Sequence, residues 1–251
     1  MIIDAHTHTY PETIAKRAIE KLEKNSGTKA HTNGVQSGLM ASMKEAGISY
    51  SLLLPVATSK KQVDTINEVA AETNAKALET GLLSFGGIHP DYQGTFFNDI
   101  RYKRIVEKAT ELGLYITVHA GVDIGMPDPV HCTPNHVLEV LKDTESDHLI
   151  LAHMGGWRLW NEVKEKLMEK PLYFDTSFSG DYLQKEGVSG MLTKEAFVDL
   201  IHAMGSDRVL FGTDSPWSGQ KDAVQWFMET DLTETEKKKI LSDNFIRIIG
   251  I

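Results

Sequence analysis

Met1-Ile2-Ile3-Asp4-Ala5-His6-Thr7-His8 opens the chain with a short apolar run that ends in two histidines. Three further apolar runs end in a potential metal ligand: residues 114–118 lead to His119, residues 149–152 to His153, and residues 209–213 to Asp214. In a parallel barrel the carboxyl ends of all strands open onto one face, so these side chains can converge there on one cation. The order His-x-His, His, His, Asp indicates a metal-dependent enzyme.

The composition is that of an ordinary globular protein. The 251 residues are 41% hydrophobic and 24% charged, which suits one barrel-sized domain over residues 1–251. A net charge of −9 without a long run of Lys or Arg argues against nucleic acid as a partner, because a phosphate backbone would be repelled. The single cysteine, Cys132, excludes an intrachain disulfide, and no run approaches the roughly 18 apolar residues of a membrane span. We expect a cytoplasmic protein without membrane attachment.

Short apolar runs alternate with longer amphipathic stretches, which predicts repeated βα units around a buried parallel sheet. Seven strands are predicted, at residues 2–5, 50–55, 82–88, 115–118, 149–152, 172–175 and 208–211. Helices are predicted between them, for example over residues 194–204, and the last one, over residues 233–241, has Thr233 and Glu236 as a capping pair. The predicted fold class is α/β, a TIM-like (β/α) barrel.

Residues 11–40 interrupt this alternation. One helix is predicted over residues 12–24, and a polar, glycine-containing stretch follows over residues 25–38. Long polar connections of this kind often carry function at the active face. We expect segment 11–40 to lie over the metal face as a loop or lid.

The first strand and Asp214 have the chemistry of a cation site. His6 and His8 are two residues apart, so their imidazoles point to one side and can chelate an ion. Imidazole suits Zn, Fe, Ni and similar cations, and one carboxylate leaves the site net positive, which lowers the pKa of a bound water. Asp214 can take the proton of such a water, and His153 can hydrogen-bond to the water or to an oxyanion. A single histidine at a strand end is most often structural, but five such residues at four strand ends are not expected by chance.

The motifs at the strand ends are Asp4-Ala5-His6-Thr7-His8, Val118-His119-Ala120-Gly121, Leu151-Ala152-His153-Met154-Gly155-Gly156, Tyr173-Phe174-Asp175-Thr176-Ser177 and Phe211-Gly212-Thr213-Asp214-Ser215-Pro216-Trp217. In these motifs the chain resembles the amidohydrolase superfamily, and within it the amidohydrolase 2 branch related to aminocarboxymuconate semialdehyde decarboxylase. The resemblance implies one divalent metal, usually zinc, bound by His6, His8, His119 and Asp214. It also implies that His153 is a catalytic acid/base or electrophile.

The region after the third strand departs from that family's pattern. Family members commonly carry a His-Pro-Asp-Tyr-like motif, a helix, a fourth strand and a second such motif, whereas here Gly87-Ile88-His89-Pro90-Asp91-Tyr92 runs directly into Gln93-Gly94-Thr95-Phe96. Either one βα unit is absent in the strand 4 region, or a short irregular segment replaces the strand. An absent unit predicts a narrower barrel or an open edge, and an open edge favours a homo-oligomer. The lysine or glutamate that bridges two metals in relatives is not visible there, so one metal is expected.

Three residues that follow strand-end motifs are candidates for substrate binding: His89, Trp157 and Trp217. Each has a structural alternative, because a histidine before proline and an aromatic residue in a loop are often there for packing. Asp175 is expected either to hydrogen-bond a ligand histidine or to cap its loop.

The expected function is, first, a metal-dependent hydrolase that acts with activated water on a small carboxylate-bearing amide, ester or lactone. The alternative is a metal-dependent, non-oxidative decarboxylase of an aromatic or enoic acid, which would use the same ligands. A third reading is a metal-binding relic without turnover. No motif separates the three.

Overall fold

In a computed structural model the chain forms short parallel strands separated by helices. The structure describes residues 1–89, 95–126 and 128–250. The strands are β1 (Ile3–Thr7), β2 (Tyr50–Leu53), β3 (Leu82–Ser84), β4 (Ile116–Val118), β5 (Leu149–Leu151), β6 (Leu172–Asp175) and β7 (Val209–Leu210). Each of them coincides with a predicted strand, although β3 ends earlier than its apolar run.

The strands pair in parallel in the orders β1-β2-β3 and β4-β5-β6-β7. The two sheets meet where the end of β7 reaches β1. There the backbone N–H of Ala5 donates to the carbonyl of Phe211 at 2.7 Å, and Thr7 forms a parallel bridge with Ser215. This seam brings the loop after the last strand beside the end of the first.

One apolar core is shared by both sheets. It is formed by buried side chains of four strands and of a helix near the C-terminus: Ile3, Ala5, Leu52, Ile150, Leu210 and Phe245. Leu149 and Leu151, on either side of Ile150, pack instead into the core between strands and helices. Side chains alternate between the two faces of a strand, so β5 is apolar on both faces, as the strands of a parallel barrel are. The prediction of a TIM-like (β/α) barrel is confirmed.

No ladder joins β3 to β4 in the part of the chain that the structure describes. Residues 85–89 and 95–99 contain no strand, and the helix Ile100–Glu111 leads into β4. The seven strands of the described residues agree with an absent βα unit at strand 4. Residues 90–94, in the middle of the stretch from Gly87 to Phe96 that departs from the family pattern, lie outside the described residues. The absence of a strand there therefore stays a prediction, as does the homo-oligomer.

The α-helices are α1 (Glu12–Ser26), α2 (Gln36–Ala46), α3 (Val63–Ala75), α4 (Ala77–Thr80), α5 (Ile100–Glu111), α6 (Pro134–Thr144), α7 (Trp160–Lys166), α8 (Lys194–Met204), α9 (Gln220–Met228), α10 (Glu234–Lys238) and α11 (Asn244–Ile249). The predicted bounds of α8 and the capping box of Thr233 and Glu236 at α10 are confirmed. Neither α2 nor α11 was predicted. Within the described residues, no helix is long and apolar enough to cross a membrane.

The predicted lid segment is partly helical. Because α2 begins at Gln36, the connection between α1 and α2 is shorter than the predicted loop over residues 25–38. In this connection the N–H of His31 donates to the carbonyl of Pro216 at 2.7 Å, and the His31 ring lies 2.9 Å from Glu186. These contacts place the connection beside the loops that follow β6 and β7. Its action as a lid stays a prediction.

Candidate metal centre

Three ligand-type side chains meet where β1 and β7 end. His6 lies on β1, His8 directly follows β1, and Asp214 lies in the loop after β7. Nε2 of His6 is 3.1 Å from Nε2 of His8 and 3.6 Å from Oδ1 of Asp214, and the distance from His8 Nε2 to that oxygen is 3.2 Å. We call His6, His8 and Asp214 the ligand trio. The N–H of Asp214 donates to the carbonyl of His6 at 2.8 Å, which fixes the two main chains together.

The spacing of the ligand trio fits one divalent ion. Metal–ligand bonds of about 2.0 to 2.2 Å place neighbouring ligand atoms about 2.8 to 3.6 Å apart in tetrahedral or octahedral geometry. The three observed separations, 3.1, 3.2 and 3.6 Å, fall within that range. The donor set of two imidazoles and one carboxylate suits Zn, Mn or Fe.

Both histidines of the trio are oriented by acceptors at their outer nitrogens. Nδ1 of His6 lies 2.8 Å from Oδ2 of Asp175, and Nδ1 of His8 lies 2.7 Å from the carbonyl oxygen of Leu54. Since carboxylates and carbonyls accept hydrogen bonds, Nδ1 of each ring carries a proton and Nε2 is turned toward Asp214. Two nitrogen lone pairs and a carboxylate repel at these distances unless a proton or a cation lies between them. The trio is therefore built to take up positive charge.

Asp175 and Ser177, at the end of β6, connect the trio with His153. Oδ1 of Asp175 accepts from the backbone N–H of His153 at 3.1 Å and from the Ser177 hydroxyl. The Ser177 hydroxyl also lies 2.9 Å from Nδ1 of His153. The expectation that Asp175 hydrogen-bonds a ligand-type histidine agrees with this geometry. Ser177 was not identified from the sequence, although it follows Asp175, the last residue of β6, by only two residues.

His153 and His119 form a pair beside the trio. Nδ1 of His153 is held by the carbonyl of Ser177 at 3.1 Å, so Nε2 of His153 is the acceptor that faces Nδ1 of His119 at 3.0 Å. The ring centroid of His153 is 5.2 Å from that of His6. At this site, the described ligand atoms that all lie within 4.8 Å of one another belong to His6, His8 and Asp214, without His119; a second such group, the exposed His31, Glu186 and Asp222, lies apart from the trio. Its role as a fourth ligand stays a prediction.

Three residues of this site have a left-handed backbone conformation. His153, Met154 and Asp214 have φ angles of 57°, 56° and 69°. Residues with a Cβ seldom adopt this left-handed conformation, and they hold it where the surrounding structure imposes it, commonly at functional sites. At His153 this conformation is held by two hydrogen bonds that the residue donates, from its backbone N–H to Oδ1 of Asp175 and from its Nδ1 to the carbonyl oxygen of Ser177.

The charges of these groups are strongly coupled. Burial alone would lower the pKa of His6, but the Asp175 carboxylate outweighs it and raises this pKa to about 9. Burial alone would raise the pKa of Asp175, but His6 brings it down to about 2. Burial and the nearby His119 lower the pKa of His153 to about 3. The site therefore combines the carboxylates of Asp175 and Asp214 with a neutral His153. The positive charge that compensates them is either a second proton on His6, which makes its ring an imidazolium, or a metal cation in the position of that proton.

The three substrate candidates differ in their surroundings. Trp157 is 2% exposed and packs with Phe178 and other buried apolar residues, which agrees with the packing alternative. Trp217 is half-buried, and its backbone N–H donates to the carbonyl of Asp214 at 2.8 Å, so it belongs to the loop that carries a member of the trio. His89 follows β3, is half-buried and does not belong to the trio. Substrate binding by these residues stays a prediction.

The fold and the site define a (β/α) barrel with a candidate metal centre at the carboxyl ends of its strands. The chain belongs to the amidohydrolase family, whose profile matches residues 54–251. This range includes His119, His153 and Asp214 and begins after His6 and His8. The resemblance to the amidohydrolase 2 branch is confirmed.

The curated relatives that match are named as decarboxylases. A gamma-resorcylate decarboxylase of Polaromonas sp. (strain JS666 / ATCC BAA-500) is 32% identical over 103 residues, which are 37% of this chain and 31% of that relative. The alignment therefore spans less than a third of the relative's length.

Similar solved structures extend over the whole chain. The 5-carboxyvanillate decarboxylase from Sphingomonas paucimobilis has a TM-score of 0.67 at 16% identity and covers 100% of this chain and 99% of its own. A dihydroxybenzoic acid decarboxylase from Polaromonas sp. JS666, solved with manganese and the inhibitor 2-nitroresorcinol, has a TM-score of 0.66 at 16% identity, with coverage of 99% and 96%. At 16% identity, the similarity to these two structures shows that the chain has the same barrel fold and shows nothing about its reaction.

Proposed function

We propose that this chain is a metal-dependent, non-oxidative decarboxylase of a hydroxylated aromatic acid. The observation that carries the proposal is the ligand trio beside the His153–Asp175–Ser177 network, in a chain whose curated relatives are named as decarboxylases. The names of the relatives support this reading better than the hydrolase that was expected first. Gamma-resorcylate and 5-carboxyvanillate are both aromatic acids that carry a hydroxyl group, which suggests the substrate class.

His6, His8 and Asp214 would hold one divalent ion, with His119 as the fourth ligand that the family resemblance implies. Manganese is present in the Polaromonas neighbour, and zinc, which the resemblance implied, is not confirmed for this chain. The ion would supply positive charge to bind the oxygens of the acid and to stabilise the negative charge that develops on the substrate.

Decarboxylation breaks the bond between the ring carbon and the carboxylate, releases CO₂ and leaves an electron pair on the ring carbon. One proton must replace the lost carboxylate there. Asp214 and His153 are the side chains proposed to relay it, because each adjoins His6. The pKa of each is lowered, so both are unprotonated at rest, and the proton would first be taken up from water before it is passed to the ring carbon. Ser177 would keep His153 in one tautomer by holding its Nδ1, so that only Nε2 takes part in the transfer.

The test is an assay of purified protein loaded with Mn²⁺ or Zn²⁺ against 2,6-dihydroxybenzoate, 5-carboxyvanillate and a set of lactones and amides. We expect CO₂ release from an aromatic acid and, in D₂O, one deuterium on the carbon that lost the carboxylate. The His153→Asn variant is the matched control for background reaction. Hydrolysis of a lactone or amide without CO₂ release would support the hydrolase instead. Metal binding without any turnover would support the relic.

A further inference from the structure

Asp4 is a charged residue buried on β1, two residues before His6, and its carboxylate takes four hydrogen bonds. Its relative exposure is 0%. Oδ1 accepts from the backbone N–H groups of His6 at 3.2 Å and of Thr213 at 2.9 Å. Oδ2 accepts from the Thr213 hydroxyl at 2.6 Å and from Nε2 of Gln220 at 2.7 Å. Three of the four donors belong to His6 and Thr213, at the seam between β1 and β7, and the fourth belongs to Gln220 of α9.

The two backbone donors lie beside members of the ligand trio. One is the N–H of His6 itself, and the other belongs to Thr213, which immediately precedes Asp214. One carboxylate oxygen thus joins the main chains that carry His6 and Asp214. Metal affinity depends on ligand atoms held within about 0.5 Å of the required geometry, so a group that fixes both main chains acts directly on that geometry.

Gln220 donates a side-chain hydrogen bond to Asp4 from a helix and not from a strand of the barrel. It is the first residue of α9 and is buried, and its amide nitrogen also lies 3.2 Å from the Ser51 hydroxyl of β2. A buried carboxylate is costly to desolvate, so an apolar side chain would serve better if closing the barrel were the only requirement. The retained charge with its four donors indicates a task beyond packing.

We propose that Asp4, held by Gln220, is a positioning residue that sets the affinity of the ligand trio for its cation. This inference rests on the metal site of the proposed function and is independent of the reaction that the site catalyses. Removal of the carboxylate frees the backbone at His6 and Thr213, so the ligand trio loses its fixed spacing while its ligand atoms remain.

The experiment is a calorimetric titration of the full-length, chelator-treated protein with Mn²⁺, at a temperature at which circular dichroism shows every variant folded. We expect Asp4→Ala to raise the Kd for Mn²⁺ about 10- to 100-fold, the usual effect of losing a group that orients metal ligands. Gln220→Met, which keeps the length of the side chain but removes the donor, should raise the Kd about threefold or more. If Asp4→Ala does not fold, the Kd measured for Gln220→Met tests the proposal in its place.

Asn244→Ala is the matched structural control. Asn244 is buried, and its amide donates to the carbonyl of Val209 at 2.7 Å, at the opposite end of β7 from Asp214. This variant should lower the midpoint of thermal unfolding and leave the Kd for Mn²⁺ within about twofold. An unchanged Kd in both network variants, or an equal weakening in Asn244→Ala, would overturn the proposal. A wild-type chain that binds no Mn²⁺ overturns it together with the metal site, whereas Mn²⁺ binding without decarboxylation refutes only the proposed reaction.

Discussion

Oδ2 of Asp175 lies 2.8 Å from Nδ1 of His6, although the two residues come from strands that are separated by β7. This contact spans the end of the barrel and fixes which nitrogen of His6 faces the rest of the ligand trio. It also explains the paired pKa shifts, because each group stabilises the charged form of the other. A carboxylate behind a ligand histidine raises the basicity of the ring and thereby strengthens its bond to a metal.

The first prediction follows from that contact. Asp175→Asn keeps a carbonyl oxygen near His6 but removes the negative charge, so the affinity for Mn²⁺ should fall about 10- to 100-fold. Calorimetric titration measures the change. Asp143→Asn is a matched control, because Asp143 lies at the surface in an ion pair with Lys103. Equal affinities in the Asp175→Asn and wild-type proteins would show that Asp175 only caps its loop.

The second prediction concerns the number of ions. Purified protein incubated with Mn²⁺ or Zn²⁺ and then desalted should retain close to one ion per chain, and His6→Ala or His8→Ala should retain almost none, because either change leaves two members of the trio. Elemental analysis by mass spectrometry measures the content. The exposed His202→Ala serves as the control, since this histidine pairs with Glu236. Two tightly bound ions, or none after supplementation, would contradict a mononuclear centre.

The third prediction separates the two histidines beside the trio. His153→Asn should leave metal content nearly intact while activity on the identified substrate falls roughly 100-fold or more, the usual effect of losing an acid/base group. His119→Asn should lower both, if His119 is the fourth ligand. Metal analysis and steady-state kinetics on the same preparations measure the two effects. Equal loss of metal in both variants would assign His153 to the metal as well.

The convergence of the trio could be predicted from the sequence because it depends on local information alone. An apolar run shows where a strand ends, and a parallel arrangement then brings all such ends to one face. His6, His8 and Asp214 satisfy this rule, and their atoms lie within hydrogen-bonding or ligand distance. The same rule could not separate His119 from His153, because it gives the face on which a side chain lies and not the orientation of its ring.

Features that depend on the register between distant segments could not be predicted. The acceptor of His8 is the backbone carbonyl of Leu54, which carries no side-chain signature. Gln220 is one of many polar residues at a helix start, and only the fold brings it to Asp4. The helix α2 escaped prediction because Gly38 lies within it, yet Leu39 and Met43, four residues apart, are buried against Leu53 and Leu82, and this packing outweighs the cost of glycine.

The last prediction concerns Cys132 and alkaline stability. Cys132 is buried in the core between strands and helices, and burial raises the pKa of its thiol from 9.0 to about 12. Below pH 9 the thiol is protonated in the folded and unfolded states and stability does not depend on it. Above pH 9 only the unfolded state ionises, so the folded state loses about 1.4 kcal/mol per pH unit until the folded pKa is reached. Urea unfolding under reducing conditions should therefore show that the wild-type protein loses about 1 kcal/mol more than Cys132→Ala between pH 8.5 and 10. If the free energy of unfolding changes equally with pH in the two proteins, the thiol ionises equally easily in the folded and unfolded states.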